Sequence, residues 1–166
     1  MREFKCRRPW GQTTMPLVSE TPIFTIHSPL GDIQKLGNTP YGERRIINIL
    51  GGTVEGPKLK GKILPGGADW QIVRADGVVH LTARYTAETE TGGLILINAE
   101  GYRHGPAEVM ERLARDETVD PALYYFRTFM RFETADPASS WLNRILAIGH
   151  GARQKGEVRV EVFEVL

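Results

Sequence analysis

Two stretches of the chain alternate their side chains with a period of two, and they restrict the fold more than any other feature of the sequence. In residues 78–88, Val79, Leu81, Ala83 and Tyr85 fall on one face and His80, Thr82, Arg84 and Thr86 on the other. In residues 124–134, Tyr124, Phe126, Thr128, Met130 and Phe132 alternate with Tyr125, Arg127, Phe129, Arg131 and Glu133. This alternation sets one face of a pleated strand against a core. Shorter runs at 23–27, 44–54, 61–64, 70–74, 94–103, 145–153 and 157–165 also read as strand. Pro65-Gly66-Gly67, Asp76-Gly77, Thr91-Gly92-Gly93 and Lys155-Gly156 supply turns between them. Antiparallel strands in this number must hide their edges, and closure does so. The expected fold is all-β: an antiparallel up-and-down barrel of about eight to nine strands with an internal cavity. A two-sheet sandwich is the alternative. Near eight strands, a barrel interior holds side chains or one small ligand.

One segment departs from the pattern. Gly105-Pro106 opens a short helix reaching to about Arg115, with Val109, Met110, Leu113 and Ala114 as its apolar stripe. Glu108 with Arg112 and Glu111 with Arg115 are i,i+4 pairs in the favourable order. The stripe implies that the helix packs on the barrel, as a plug or a lid.

A chain of 166 residues suits one domain. Residues 1–14 lack periodic apolar positions and read as a disordered tail before a single domain over 15–166. The net charge of +1 argues against a nucleic-acid partner, which needs a basic excess or stripe. No run approaches the length of a membrane span, so no membrane partner is expected. Cys6 is the only cysteine, and no apolar stretch follows the basic residues at the N-terminus, so a cytoplasmic location is the expectation. His27, His80, His104 and His150 are scattered, with no spacing typical of metal ligands, and His150 reads as an exposed loop residue. The glycine pairs Gly51-Gly52, Gly66-Gly67 and Gly92-Gly93 match no nucleotide-binding spacing. Neither metal nor cofactor is expected.

What remains is charge inside apolar strands. Arg45, Arg84, Glu100, Arg127 and Glu133 all lie within such runs, and Asp69-Trp70 follows a tight turn. If some point inward, they must pair, and arginine–carboxylate pairs meet that need. Asp69, Glu100 and Glu133 are then candidate acids or bases, with Tyr85 as a proton or hydrogen-bond donor. Arg84 and Arg127 are candidate anion clamps, and Trp70, Phe132, Trp141 and Asn143 are candidate substrate contacts. Arg84 and Glu133 in particular are expected to share one polar network in the cavity.

The segments 51–70 (GGTVEGPKLKGKILPGGADW), 76–89 (DGVVHLTARYTAET), 124–134 (YYFRTFMRFET) and 141–153 (WLNRILAIGHGAR) resemble the family catalogued as domain of unknown function 3237. The likeness runs from about Pro22 to Val165. It implies a compact antiparallel barrel with an internal cavity. It also implies a role similar to that of enzymes of secondary metabolism or aromatic-compound breakdown, including decarboxylase-like lyases. The family motif falls on Gly66, Gly67, Ala68, Asp69, Trp70, Arg84, Tyr85, Arg127, Phe132, Glu133, Trp141, Leu142 and Asn143. Thr82 departs from it, since the family pattern often has Asp there.

The sequence thus points to a metal-free acid–base enzyme (lyase, isomerase or hydrolase) acting on a small aromatic or carboxylated compound. A non-catalytic binding or carrier protein is the alternative on the same barrel. Leftover apolar outer surface would allow a homodimer. Elemental analysis of the purified protein is expected to find no stoichiometric metal; zinc or iron at one per chain would overturn this.

Overall fold

The computed structural model describes residues 16–166, so the expectation for the tail at 1–14 lies outside the described residues. The strands are β1 (Phe24–Thr39), β2 (Gly42–Ile49), β3 (Gly52–Glu55), β4 (Gly61–Ile63), β5 (Gly67–Val73), β6 (Val79–Thr89), β7 (Leu94–His104), β8 (Tyr125–Thr134), β9 (Ala147–Gln154) and β10 (Glu157–Glu164). One helix, α1 (Ala107–Ala114), lies between β7 and β8, with Pro106 as its N-cap residue. All pairings are antiparallel, and the sheet closes on itself where β1 pairs with β10.

The closure is not a simple up-and-down meander, and the described residues form ten strands rather than eight or nine. Residues 44–54, which read as one strand, divide at Leu50-Gly51-Gly52, where both glycines have positive φ (133° and 139°) that side chains rarely adopt. The bend sends the chain to two partners. β2 pairs with the second half of β1 and with β5, while β3 pairs with residues 25–27 of β1 and with β4. β5 and β4 then both join β6, at residues 79–84 and 87–89 respectively. At one end the ring is therefore β1-β2-β5-β6-β7-β8-β9-β10. At the other, β3 and β4 stand where β2 and β5 stood. β1 is also much longer than the expected 23–27 run. It continues through Pro29, Gly31 and Gly37 by register shifts between Leu30 and Ile33 and between Lys35 and Gly37, irregularities that hid its length in the sequence.

The inward faces follow the two-residue alternation. Phe24 and Ile26 of β1, Val54 of β3, Tyr85 and Ala87 of β6, Ile95 and Ile97 of β7, Met130 and Phe132 of β8 and Val162 of β10 form the main core. Phe24 and Phe132 meet edge to face, 6.0 Å between centroids. A second cluster gathers under α1, where Val109 and Leu113 pack on Val79, Leu81, Tyr124 and Phe126. The helix covers one end of the barrel, as its apolar stripe implied. Among the described residues, no helix is long and apolar enough to cross a membrane.

Small inward residues leave space between the two clusters. Ala83 and Ala99 line that space, where bulkier residues would fill the interior. Phe126 lies flat over Gly151, so a Cβ there would meet the ring at 2.5–2.6 Å. Gly151→Ala is expected to destabilise the fold by about 1–3 kcal/mol through overpacking. A chemical denaturation curve with an unshifted midpoint would show that the ring moves aside freely.

Candidate functional site

The space between the two core clusters is a small cavity, with about 70 Å³ open to the centre of a water-sized sphere. Its wall is mostly apolar: Ile26, Leu30, Ile47, Ile49, Leu81, Phe126, Val158 and Val160 contribute from five strands. Into this surface project Ser28, Asp69, Gln71, Tyr85, Arg103, Thr128 and Arg153. A second cavity beneath α1 shares Ile47, Gln71, Arg103 and Arg153 with the first. Met110, Glu111, Leu113 and Ala114 form its roof. Gln71, Arg103 and Arg153 therefore stand at a waist between the inner chamber, which Ser28, Asp69, Tyr85 and Thr128 also line, and an outer one under the helix.

Asp69 is held by a break in the sheet. The β5–β6 ladder runs Ala68↔Arg84 and Asp69↔Ala83, then resumes only at Ile72↔His80. In the gap the backbone N–H of Thr82 donates to Asp69 Oδ1 at 3.1 Å, and Gln71 Nε2 donates to Oδ2 at 2.6 Å. Burial raises the Asp69 carboxyl above its usual range. The Gln71 hydrogen bond, the charges of Arg103 and Arg153 and the Thr82 N–H offset this only in part. Tyr85 is raised above the ordinary phenol value by burial and then by the Asp69 charge, so it keeps its proton.

Two arginines face the same space. Burial pulls Arg103 down to about 10, against the pull of Asp69, and it stays cationic at neutral pH. Its guanidinium lies 5.7 Å from the Phe126 ring centroid. Arg153 is only 8% exposed; its backbone N–H donates to the Tyr124 hydroxyl at 2.8 Å, and its Nη2 donates to Asp116 Oδ1 at 3.2 Å. Arg103 Nε, Arg153 Nη1 and Ser28 Oγ are buried without a hydrogen-bond partner among the described residues. Buried donors are normally paired, so each of these is free to bond an acceptor that reaches it.

Of the residues singled out from the sequence, the structure brings Asp69 and Tyr85 together in the cavity. Phe132 points inward but belongs to the packed core beside Phe24. The expectation that Arg84 and Glu133 share an interior network is corrected. With Leu81, Ala83 and Tyr85 inside, the pleat must turn Arg84 out, where its Nε donates to Asn98 Oδ1 at 2.8 Å. With Met130 and Phe132 inside, Glu133 is likewise exposed. Glu100 is also on the outer face, 3.0 Å from His80 Nε2. Arg127 donates to the carbonyl of Phe126 and lies over the Tyr125 ring. Trp70 is exposed in a shallow outer groove with Arg84, Glu100 and Phe129.

Trp141 and Asn143 sit in the 3-10 segment Pro137–Arg144. Trp141 packs against the main core with Lys58 Nζ 5.3 Å from its ring centroid, and Asn143 exchanges two 2.9 Å hydrogen bonds with the backbone of Thr134. Both thus have local structural partners. His150 is no loop residue: it faces outward from β9, 3.7 Å from Glu161 Oε2. Arg45, read as an inward candidate, bonds Glu43 and borders the outer cavity.

Gln71, Arg103 and Arg153 were missed. The available signal was parity carried to the strand end: Ile95, Ile97, Ala99, Gly101 and Arg103 share one face, and so do Ala147, Gly149, Gly151 and Arg153. Among the described residues, no group of three or more His, Cys, Asp or Glu side chains gathers in metal-binding geometry.

A family model described as "Protein of unknown function (DUF3237)" matches residues 18–165. A UPF0311 protein of Rhodopseudomonas palustris (strain TIE-1) is 43% identical over 151 residues, covering 91% of this chain and 99% of the relative. Among solved structures, a beta-barrel like protein from Acinetobacter baumannii AYE superposes with a TM-score of 0.78 at 42% identity, over 92% of this chain and 99% of that one. A structure described as an enzyme from Penicillium herquei gives a TM-score of 0.67 at 17% identity, over 95% of this chain and 100% of that one, a likeness of fold.

A carboxyl raised by burial binds its proton more tightly in the folded chain than in the unfolded one. Its contribution to stability is complete below the ordinary aspartate value of 3.8 and is lost as the pH rises through the folded value. Asp69→Asn, which never ionises, is therefore expected to gain melting temperature relative to wild type as the pH is stepped from about 4 to about 8. A difference that stays constant across that series would place the carboxyl in water.

Proposed function

We infer that this chain, which belongs to the DUF3237 family of proteins of unknown function, binds a small carboxylated, partly aromatic compound inside its barrel and moves a proton on it with Asp69. One observation carries the reading. Two guanidinium groups, each with a buried N–H that has no partner among the described residues, face a cavity that Asp69 alone among the described carboxylates lines in its inner chamber. Paired guanidinium donors match a carboxylate, or the enolate-like oxygen of a reacting carbonyl compound. The apolar wall suits a flat hydrocarbon portion, as in most small-molecule sites.

In this reading Arg103 and Arg153 anchor the anion and stabilise negative charge that develops on it. Asp69 gives or takes the proton, its raised affinity for protons bringing it nearer to neutral pH. Tyr85 remains a neutral phenol and acts as a hydrogen-bond donor. Proton transfer next to an anchored, polarised group serves lyases, isomerases and hydrolases alike, without a cofactor. The Penicillium herquei neighbour is described as an enzyme, and at 17% identity it lends only the precedent of the fold. The same pocket without proton transfer would make a carrier.

Incubation with aromatic acids and lactones, followed by mass spectrometry, and identification of any compound that co-purifies supply the ligand. With it in hand, Asp69→Asn is expected to cut turnover by about 10²–10⁴-fold with a modest loss of affinity. Arg103→Met is expected to weaken anionic ligands far more than neutral isosteres. If Asp69→Asn changes affinity alone, the protein is a carrier. If neither substitution alters binding or rate, the cavity is not the site.

A further inference from the structure

Arg153 reaches two places at once. The side chain lines the cavity, and its Nη1 is buried without a partner among the described residues, while its Nη2 is fastened to Asp116 Oδ1 at 3.2 Å. Asp116 follows α1 closely and is the one non-glycine residue with positive φ (59°) among the described residues. An L residue other than glycine adopts that conformation at a cost unless its surroundings hold it there. The backbone N–H of Gly156, in the β9–β10 turn, supplies the hold, donating to Asp116 Oδ1 at 3.1 Å and Oδ2 at 3.0 Å. The same carboxylate thus ties three elements: the chain leaving the helix, the hairpin turn and the guanidinium.

Among the described residues Asp116 is the carboxylate paired with Arg153, and Asp69 is the other acid whose charge acts on it. An arginine turned onto Asp69 would block the place where an anion must sit. We propose, resting on the reading of the cavity as an anion site, that Asp116 is a positioning residue: it holds one edge of the Arg153 guanidinium so that the other edge is presented to the ligand. Its restrained backbone conformation is what fixes the carboxylate on Gly156 and Arg153 together.

Two substitutions separate position from charge and from backbone conformation. Asp116→Gly accepts the positive φ and removes the side chain. Asp116→Asn tolerates the same φ, keeps an oxygen for Gly156 and removes the charge that holds Arg153. The first readout is the arginine side-chain N–H spectrum of the whole ¹⁵N-labelled protein, with the Arg153 signal assigned by its loss in Arg153→Lys. Wild type is expected to show a sharp, slowly exchanging Arg153 signal. It should broaden into the solvent-exchanging set in Asp116→Gly and recover in part in Asp116→Asn.

The second readout is calorimetric titration with benzoate and with its neutral isostere benzamide. Asp116→Gly is expected to weaken benzoate by about tenfold, the scale of one charge-assisted hydrogen bond, and to leave benzamide unchanged. A sharp Arg153 signal in Asp116→Gly overturns the proposal, as does an equal loss of both ligands, which would mark a merely structural residue. If wild type binds neither probe, the benzoate-like anion reading of the cavity falls, and the spectral arm alone decides whether Asp116 orders the guanidinium.

Discussion

Two guanidinium groups and one carboxylate project into a barrel interior whose walls are otherwise aliphatic and aromatic. Charge in such a place cannot rely on water, so each group is held by groups the fold brings to it. Asp69 has Gln71 and a backbone amide, the Arg153 guanidinium has Asp116, and Arg103 lies against the face of Phe126. Each arrangement depends on a local departure from regular structure. The ladder opens beside Asp69, the chain takes a positive φ at Asp116, and Phe126 lies flat because position 151 is a glycine. The small residues on the inner faces leave the volume that these groups surround.

The way the barrel closes keeps this region apart from the rest of the core. β1 and β6 each take part in both end rings, and the short β3–β4 pair completes one end while β2–β5 completes the other. The end built on β3 and β4 is packed solid with Phe24, Val54, Ile63, Ile95 and Phe132. The β2–β5 end supplies Ile47, Asp69 and Gln71 to the cavity and is roofed by α1. The main core thus fills one end of the barrel, and the candidate site lies between it and the cluster under the helix.

The sequence made the strands and the helix legible because their signals are local: alternation for the strands, Gly-Pro and an apolar stripe for α1. It hid the tenth strand and the true length of β1, where bulges and glycines interrupt the pattern. For the site, Asp69 and Tyr85 stood out through a turn and an inward face. Arg84 and Glu133 attracted attention through aromatic neighbours in sequence, yet adjacent residues in a strand point to opposite faces. The apolar parity of their own strands already placed them outside. Arg103 and Arg153 escaped notice because each sits near a strand end, beside His104-Gly105 and Lys155-Gly156, where basic residues ordinarily face solvent. Their partner Asp116 lies outside any strand, and nothing in linear order links it to the hairpin 40 residues later that it binds.

The gap in the β5–β6 ladder has one more consequence. Thr82 gives its amide hydrogen to a side chain, so a link in the sheet is made by a group that can gain or lose a proton. The side chain of Thr82 faces outward while its amide touches the interior acid. The strand therefore carries a built-in reporter: the resonance of one backbone amide registers, from the outer wall, the ionisation of the carboxylate within.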